Sequence, residues 1–512
     1  METVIKKVDR SNIDKEIIEE AGNILKQGGL VAFPTETVYG LGANALDEEA
    51  ARKTYAAKGR PSDNPLIVHI ARTEDLAGIV EEVPVVVKDL AEHFWPGPLT
   101  MIFRKNERVP YGTTGGLDTV AVRMPDDEIA REMILAGGGY ISAPSANTSG
   151  RPSPTTAQHV AEDLTGKIEM ILDGGSVDIG VESTILDMTV VPPMILRPGA
   201  ITREMLSEVV GEVAIDETLI SENSTMAPKA PGMKYRHYAP KAELIIVEGR
   251  TEEAVKAIRQ IAYEQTRLGY KVGIIATNES IEEYTTGTIK SIGSRENEKT
   301  VARNLYKVLR EFDEEDVDYI YSEAFSEEGI GTAVMNRLGK AAGHHAIQAE
   351  TITRLQRYRK IIFVSSSANC RAPMASALLK KQPLLQEYSI VPRGMVVLFP
   401  EPLNPRAEEI LRRHHIETEG YETAAFSGEE LKEDTLVLTM QENLKQKIQN
   451  EFPDFKEVYT LCEYVNGGKE IPSVYGQTRE QYEQMYELIQ CYVKKLANKL
   501  NEEAKNKCQT FM

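Results

Sequence analysis

Residues 57–69 read AKGRPSDNPLIVH, in which a polar loop carries Lys58, Arg60 and Asn64 and an apolar run then ends at His69. The apolar run predicts a short buried strand over residues 66–70. Lys58 and Arg60 would point the same way on an extended segment, and two neighbouring cations suit a polyphosphate. Loops of this composition are more often plain turns, and such a pair is more often solvated, so spacing alone does not establish a nucleotide site.

Two other stretches share this character. They are PTETVYGLGANA at residues 34–45, a loop after a strand with hydroxyls and glycine or alanine breaks, and APSANTSGRPSPT at residues 143–155, a loop whose hydroxyls and exposed amides can cradle anions. Ser11 is a candidate N-cap, because the apolar residues after it, from Ile13 to Leu25, recur at helical spacing. The remaining periodic segments predict strands at residues 30–33, 99–103, 119–122, 170–172, 184–188 and 194–196, and helices at 87–93 and 156–164. The pattern indicates a mixed α/β domain as far as residue 215.

Residues 221–240, SENSTMAPKAPGMKYRHYAP, are polar and lack periodicity, so they are either a simple exposed linker or a lid that folds back over a site. Strand and helix patterns then resume in a small α/β domain and again in a third α/β unit, which ends in a long amphipathic helix. We therefore divide the chain into a domain at 1–220, the linker or lid at 221–240, a small domain at 241–345, a linker at 346–359 and a last domain at 360–512.

Composition limits the classes of function. The chain has 512 residues, too many for one core, and its net charge of −19 argues against strong direct binding of nucleic acid. No apolar window is long enough for a membrane span, and the first residues lack the apolar core of a signal peptide, so we expect a cytoplasmic protein. All four cysteines lie in the last third, which fits a reduced compartment rather than a disulfide framework.

Five motifs in order, PTETVYGLG, KGRPxxNPLxVH, SAPSANxSGxPSPT, VESTILD and LRPGAI, resemble a YrdC-type domain. With PGMKYRHYAP and the small domain, residues 8–345 resemble the long form of L-threonylcarbamoyladenylate synthases. The resemblance implies a mixed twisted sheet followed by a Rossmann-like α/β domain. It implies that L-threonine, bicarbonate and ATP give L-threonylcarbamoyl-AMP and pyrophosphate, for threonylcarbamoyladenosine modification of tRNA by a downstream tRNA threonylcarbamoyl transferase complex. Mg²⁺ is expected on the phosphates, but no carboxylate cage for a metal is evident.

The same resemblance assigns site residues. It implies that Lys58 and Arg60 are the catalytic cations that hold the ATP phosphates, and that Arg236 reaches the nucleotide from the lid. The other residues implied around ATP are Asn64, Thr119, Ser145, Asn147, Ser153 and Arg197. Those implied around threonine are Thr37, His69, Arg123, Ala143 and Ser183, with Arg123 facing its carboxylate. The alternative is a non-catalytic RNA-binding protein built on the YrdC fold.

Residues 361–380, IIFVSSSANCRAPMASALLK, predict a strand, a compact loop and a helix, an arrangement that binds anions at the helix N-terminus. They resemble the signature loop of low-molecular-weight protein tyrosine or arginine phosphatases, which have a parallel-sheet α/β fold. In register, Ser365 stands at the nucleophilic cysteine and Ser473 at the general-acid aspartate, while Arg371 is kept. Cys370 occupies the second, non-nucleophilic position. We predict an inactive domain; the alternative is a live phosphatase that uses Cys370 or Ser365.

Overall fold

The computed structural model describes residues 1–216, 238–355, 358–417 and 420–508, and none of the described helices is long and apolar enough to cross a membrane. These residues form two compact units. The first comprises residues 1–259 and 270–348, and the second comprises residues 260–269 and the chain from residue 349 onward. Three sheets, two of them wholly parallel, confirm the predicted α/β class.

An eleven-stranded sheet organises the N-terminal part of the first unit. Its strands are β1 (Val4–Lys7), β2 (Val31–Phe33), β3 (Gly40–Asn44), β4 (Ile67–His69), β5 (Leu99–Arg104), β6 (Thr119–Arg123), β7 (Ile141–Ser142), β8 (Met170–Asp173), β9 (Thr184–Asp187), β10 (Met194–Arg197) and β11 (Ala214–Ile215). Their order across the sheet is β1-β8-β2-β3-β7-β4-β6-β5-β9-β10-β11. The helices are α1 (Lys15–Lys26), α2 (Glu48–Lys58), α3 (Val86–Phe94), α4 (Tyr111–Thr114), α5 (Glu128–Ala136), α6 (Ala157–Leu164) and α7 (Arg203–Val210).

Three local predictions in this part are corrected. Helix α1 is capped by Asp14, whose side chain accepts from the Glu16 amide, while Ser11 donates to Asp9 instead. The stretch at residues 34–45 is not all loop, because strand β3 lies within it. Its glycines hid the strand pattern, yet they are needed there: a Cβ on Gly40 would lie 3.1 Å from the Phe33 ring.

The third correction concerns the two cations. Lys58 is the last residue of helix α2, and the helix ends at Gly59, which has the left-handed φ of 63° that glycine adopts without strain. Lys58 and Arg60 are therefore not on one extended segment. A helix end followed by a left-handed residue, rather than the alternation of a strand, sets their directions.

A five-stranded parallel sheet forms the rest of the first unit, in the order β14-β13-β15-β12-β16. The strands are β12 (Glu243–Glu248), β13 (Val272–Ala276), β14 (Thr288–Ser291), β15 (Tyr319–Glu323) and β16 (Ala346–Gln348), and the helices are α8 (Thr251–Arg267), α9 (Glu298–Glu314) and α10 (Gly331–Ala341). Residues 346–348 were read as linker because three residues are too few to show a strand period. They pair with β12 as an edge strand.

A four-stranded parallel sheet, β18-β17-β19-β20, lies in the second unit. Its elements, with α11 ahead of them, are α11 (Ala349–Leu355), β17 (Lys360–Ser365), α12 (Arg371–Lys380), β18 (Ser389–Gly394), α13 (Pro405–Arg413), β19 (Thr435–Thr439), α14 (Glu442–Glu451), β20 (Val458–Thr460), α15 (Leu461–Tyr464) and α16 (Arg479–Cys508). The apolar stripe predicted on the last helix is confirmed, because its members are buried in this core: Tyr482, Tyr486, Ile489, Val493, Leu496 and Leu500.

Candidate active site

One cleft in the first unit collects most of the predicted substrate residues. Ten of the fourteen line it: Thr37, Lys58, Arg60, His69, Arg123, Ala143, Ser145, Asn147, Ser183 and Arg197. The sheet explains this convergence, because β7, β4 and β6 are neighbours and His69 pairs with Arg123 at the ends of their strands. Ala143 directly follows β7, and Ser183 directly precedes β9.

The other four predicted residues are not in the lining. Ser153 lies behind it and donates to Glu182, which does line the cleft. Asn64 accepts from Arg60 through its backbone carbonyl, and Thr119 begins the strand that ends at Arg123. Arg236 and most of the predicted lid fall outside the described residues.

Lys58 is buried and Arg60 is half-buried, and the hydrogen-bond partners of both cations within the described residues are neutral oxygens. Lys58 Nζ donates to the backbone carbonyls of Ser145 and, at 2.5 Å, of Asn147. Arg60 donates from Nε and Nη2 to two further carbonyls, at 3.2 and 3.1 Å. Burial lowers the pKa of Lys58 well below its usual value, with the charge of Arg60 adding to the effect, and burial lowers the pKa of Arg60 to about 10. Buried cations held only by carbonyl dipoles strongly favour an incoming anion.

Ser145 and Asn147 belong to a tightly bonded turn. Ser145 Oγ donates to Asn147 Oδ1 at 2.6 Å, and Asn147 Nδ2 donates to the carbonyls of Thr148 and Arg151 at 2.9 and 2.8 Å. The Asn147 side chain therefore fixes the shape of the turn, and the backbone carbonyls of the turn bind Lys58. This is preorganisation: the groups around the cation are fixed by bonds among themselves.

Arg123 lies on the other side of the cleft with a carboxylate that the motifs did not single out. Its Nη2 is 2.6 Å from Glu36 Oε2, although the two groups are not aligned for a hydrogen bond, and its Nη1 donates to Thr37 Oγ1 at 3.0 Å. All three side chains are buried. Burial and the charge of Arg123 lower the pKa of His69 to about 3, so this imidazole is neutral at physiological pH.

Arg197 binds the segment before β9. It donates from Nε to the Ser183 carbonyl at 3.0 Å and from Nη2 to Ser183 Oγ at 3.1 Å, and Ser183 Oγ also contacts Thr100 Oγ1 at 2.8 Å. Glu182 and Tyr238 line the cleft as well, and sequence reasoning gave neither a role. Glu182 stands inside the VESTILD motif, so a charged residue beside a buried strand was the available signal.

The loop after β17 in the second unit brings three of the four phosphatase-like positions together. Ser365 is buried, and its Oγ accepts from the Ala368 amide at 3.1 Å. Arg371 begins α12 and donates to the Ile471 carbonyl at 3.1 Å and to Gln441 Oε1 at 3.0 Å. Burial raises the pKa of Cys370 to about 11 despite the neighbouring arginine, so this thiol stays protonated. Ser473 is exposed, two residues beyond Ile471.

Metal ligands do not cluster in the described ranges: no group of three or more His, Cys, Asp or Glu side chains there could hold an ion. Among the described residues that line the cleft, Glu182 is the one with a carboxylate, and this carboxylate accepts a hydrogen bond from Arg337 Nε at 3.0 Å. Both Glu36 and Glu182 are thus engaged by arginines.

Profiles of three protein families match consecutive parts of the chain. The first is the Sua5, YciO and YrdC family, described as telomere recombination, at residues 23–199. The second is the C-terminal domain of threonylcarbamoyl-AMP synthase, at residues 201–343. The third is low molecular weight phosphotyrosine protein phosphatase, at residues 360–506.

Whole proteins match the first two of these regions. The chain is 50% identical over 339 residues to a threonylcarbamoyl-AMP synthase of Pyrococcus abyssi, which covers 66% of this chain and 98% of that protein. It is 48% identical over 332 residues to the threonylcarbamoyl-AMP synthase of Bacillus subtilis, and the match covers 65% of this chain and 94% of that protein. The crystal structure of P. abyssi Sua5 complexed with L-threonine superposes with a TM-score of 0.65 at 49% identity, covering 67% of this chain and 99% of that one. The chain therefore belongs to the threonylcarbamoyl-AMP synthases, a family of nucleotidyltransferase-type enzymes, and carries a low-molecular-weight phosphatase-like domain after the synthase region.

Proposed function

We propose that the first unit makes L-threonylcarbamoyl-AMP and pyrophosphate from L-threonine, bicarbonate and ATP, for threonylcarbamoyladenosine modification of tRNA. The observation that carries this proposal is a pair of cations, the buried Lys58 and the half-buried Arg60, whose described partners are carbonyl oxygens and which lie in the same cleft as Arg123. The threonine complex of the P. abyssi relative supports the amino-acid substrate. The product would pass to a tRNA threonylcarbamoyl transferase complex.

Two sides of the cleft would hold the two larger substrates. Lys58 and Arg60 would face the phosphates, with the remaining nucleotide contacts from Asn64, Thr119, Ser145, Asn147, Ser153, Arg197 and Arg236. Arg123 would take the threonine carboxylate, with Thr37, His69, Ala143 and Ser183 around the rest of the molecule. A neutral His69 adds no competing positive charge beside Arg123. Mg²⁺ would arrive on the ATP phosphates, because the carboxylates at the cleft are already paired with arginines.

The chemistry requires no covalent intermediate on the protein. Bicarbonate takes up a proton and gives CO₂ and water. The neutral threonine amine then attacks the CO₂ carbon and loses one proton, which leaves an N-carboxylate and balances the proton that bicarbonate consumed. A carboxylate oxygen then attacks the α-phosphorus of ATP, and pyrophosphate leaves. The product is a mixed carbamic–phosphoric anhydride. Buried cations that are already in place would stabilise the charge on the phosphates without reorganisation.

We also propose the domain division at residues 220, 240, 345 and 359, with residues 221–240 as a lid that keeps water from the intermediate. Tyr238, near the end of that segment, lines the cleft, which supports a lid over a plain linker. The third of these boundaries moves from residue 345 to residue 348, because the small sheet continues to Gln348.

The test is pyrophosphate release by the full chain. We expect release from ATP only when L-threonine and bicarbonate are both present. Omission of either substrate is the control for contaminating ATPase. Absence of this release from pure, folded protein, together with tight binding of RNA, would instead support the non-catalytic alternative.

We further propose that the last domain is a pseudophosphatase. A serine hydroxyl at Ser365 is hardly ionised near neutrality, and the high pKa of Cys370 removes the other nucleophile. Ser473 cannot protonate a leaving group. Hydrolysis of phosphotyrosine and phosphoarginine by the full chain is the assay, with Ser365→Ala as control. Turnover that disappears in Ser365→Ala would establish a bifunctional enzyme instead.

A further inference from the structure

Glu182 joins the cleft to the small α/β domain. Its Oε1 accepts from Ser153 Oγ at 2.6 Å and from the Tyr306 hydroxyl at 2.9 Å. Its Oε2 accepts from the same hydroxyl at 2.9 Å and from Arg337 Nε at 3.0 Å. The carboxylate is buried and fully bonded, and two of its three partners come from helices α9 and α10, more than 120 residues later in the chain.

Glu182 governs the nucleotide side of the cleft through its neighbours. It holds the Ser153 hydroxyl directly, and the next residue, Ser183, is the one that Arg197 binds through two hydrogen bonds. A shift of the Glu182 carboxylate would therefore move one predicted ATP contact and the anchor of another. No residue of the small domain needs to touch the nucleotide for this effect.

Arg337 clamps the same region from two directions. Besides Glu182, it donates from Nη1 to the carbonyl of Pro198, the residue after Arg197. Its side chain is completely buried. Arg337 thus fixes both chain segments that meet at Ser183 and Arg197, and an exchange for lysine would keep the charge but lose the fork that reaches both.

Tyr306 has a second contact on the cleft. Its ring packs against Tyr238 with centroids 5.1 Å apart, and Tyr238 lies in the segment that we propose as the lid. One side chain of α9 therefore contacts both Glu182 and the lid end.

The electrostatics keep the junction ionised. Burial raises the pKa of Glu182, but the charges of Arg337 and Arg197 and the bond from Ser153 outweigh it and lower the pKa to about 2. A buried ion pair is weak as a source of stability, because desolvation offsets the attraction, and its better-attested use is to specify geometry.

We propose that Tyr306 and Arg337 are positioning residues for the nucleotide side of the cleft, acting through Glu182, so that the small domain completes the active site. This rests on the proposed function. It differs from a purely structural interface in one respect: ATP binding should respond to Tyr306 and Arg337 more than threonine binding does.

The experiment measures ATP binding to the full chain by calorimetry, with threonine present and bicarbonate withheld. Tyr306→Phe removes only the hydroxyl, and we expect the ATP dissociation constant to rise about tenfold, the usual effect of losing a hydrogen bond to a charged group. The threonine dissociation constant should change less than twofold. Tyr284→Phe is the matched control, because it removes a hydroxyl that donates to a buried carboxylate, Glu323, at 2.9 Å in the same domain but away from the cleft.

A double-mutant cycle measures the coupling between two substitutions in their effects on ATP affinity, and a purely structural role of Tyr306 would give no such coupling. If Tyr306 acts through Glu182, the effects of Tyr306→Phe and Ser153→Ala on ATP affinity are not additive. Equal effects of Tyr306→Phe and Tyr284→Phe, or full additivity, would overturn the proposal. Should Tyr306→Phe fail to fold, Arg337→Lys carries the same test. Wild-type protein that binds ATP but releases no pyrophosphate would contradict the proposed function alone.

Discussion

The cleft of the first unit and the loop after β17 each place an arginine beside a helix end, Arg60 after α2 and Arg371 at the start of α12, but the groups around the two arginines differ. In the cleft, the described hydrogen bonds of Lys58 and Arg60 go to neutral carbonyl oxygens rather than to carboxylates. In the loop, Arg371 is kept, yet the nucleophile position is a serine and the remaining thiol, Cys370, has a pKa near 11. The comparison shows which side chains decide the two proposals: the cations of the cleft, and the residues at the nucleophile and acid positions of the loop, rather than the backbone that carries them.

The largest expected effect concerns the cations. Lys58→Ala and Arg60→Ala should each lower threonine-dependent pyrophosphate release by about a hundredfold or more, because each removes a preorganised charge. Lys53→Ala is the control: it lies on the same helix, outside the cleft, and donates to the Gly28 carbonyl. Unchanged turnover in both cleft variants would mean that the contrast between the two sites is wrong.

Restoring the loop tests the same contrast from the other side. Ser365→Cys alone should give little hydrolysis of an aryl phosphate, because no acid protonates the leaving group. Adding Ser473→Asp should raise hydrolysis about a hundredfold above the single variant. Ser473→Asn in the same Ser365→Cys background controls for a polar replacement without an acid. Equal activity of the aspartate and asparagine versions would contradict the proposal that a missing general acid limits hydrolysis by this domain.

A smaller effect should separate the two sides of the cleft. Arg123→Lys keeps the charge beside Glu36 but loses the guanidinium that also bonds Thr37. We expect the KM for threonine to rise about tenfold while the KM for ATP changes little. Steady-state pyrophosphate release with each substrate varied in turn measures both constants. A rise confined to ATP would reverse the assignment of the two sides.

The smallest effect is on stability. His69 has a pKa of about 3 when folded, against about 6.5 in an unfolded chain. Because the unfolded state binds the proton more tightly, stability from this group is full above pH 6.5 and is lost as pH falls toward 3. The difference in free energy of unfolding between wild type and His69→Gln should shrink by about 2 kcal/mol from pH 7 to pH 4.5, as measured by urea unfolding at each pH. A gap that stays constant would show that His69 is not held neutral.

Much of the cleft could be predicted because its residues lie in short motifs at strand ends. His69 and Arg123, for example, end neighbouring strands whose apolar runs are plain in the sequence. Helix α2 and strand β3 were harder, since alanine and glycine carry little periodicity.

Ion pairs across long separations could not be predicted. Glu36 pairs with Arg123, and Glu182 with Arg337, at distances along the chain where no local spacing rule applies. The role of each carboxylate depends on an arginine that only the folded chain brings close to it. The same is true of Tyr306, to which the sequence analysis assigned no role.

Strand β16 has a practical consequence for dividing the chain. A fragment that stops at residue 345 would lose the three residues that pair with β12, and the freed backbone groups of β12 would become an open template for pairing between molecules. Such a fragment should associate and precipitate on concentration, whereas one that ends after Gln348 keeps β12 paired and leaves only the three-residue β16 at the edge of the sheet.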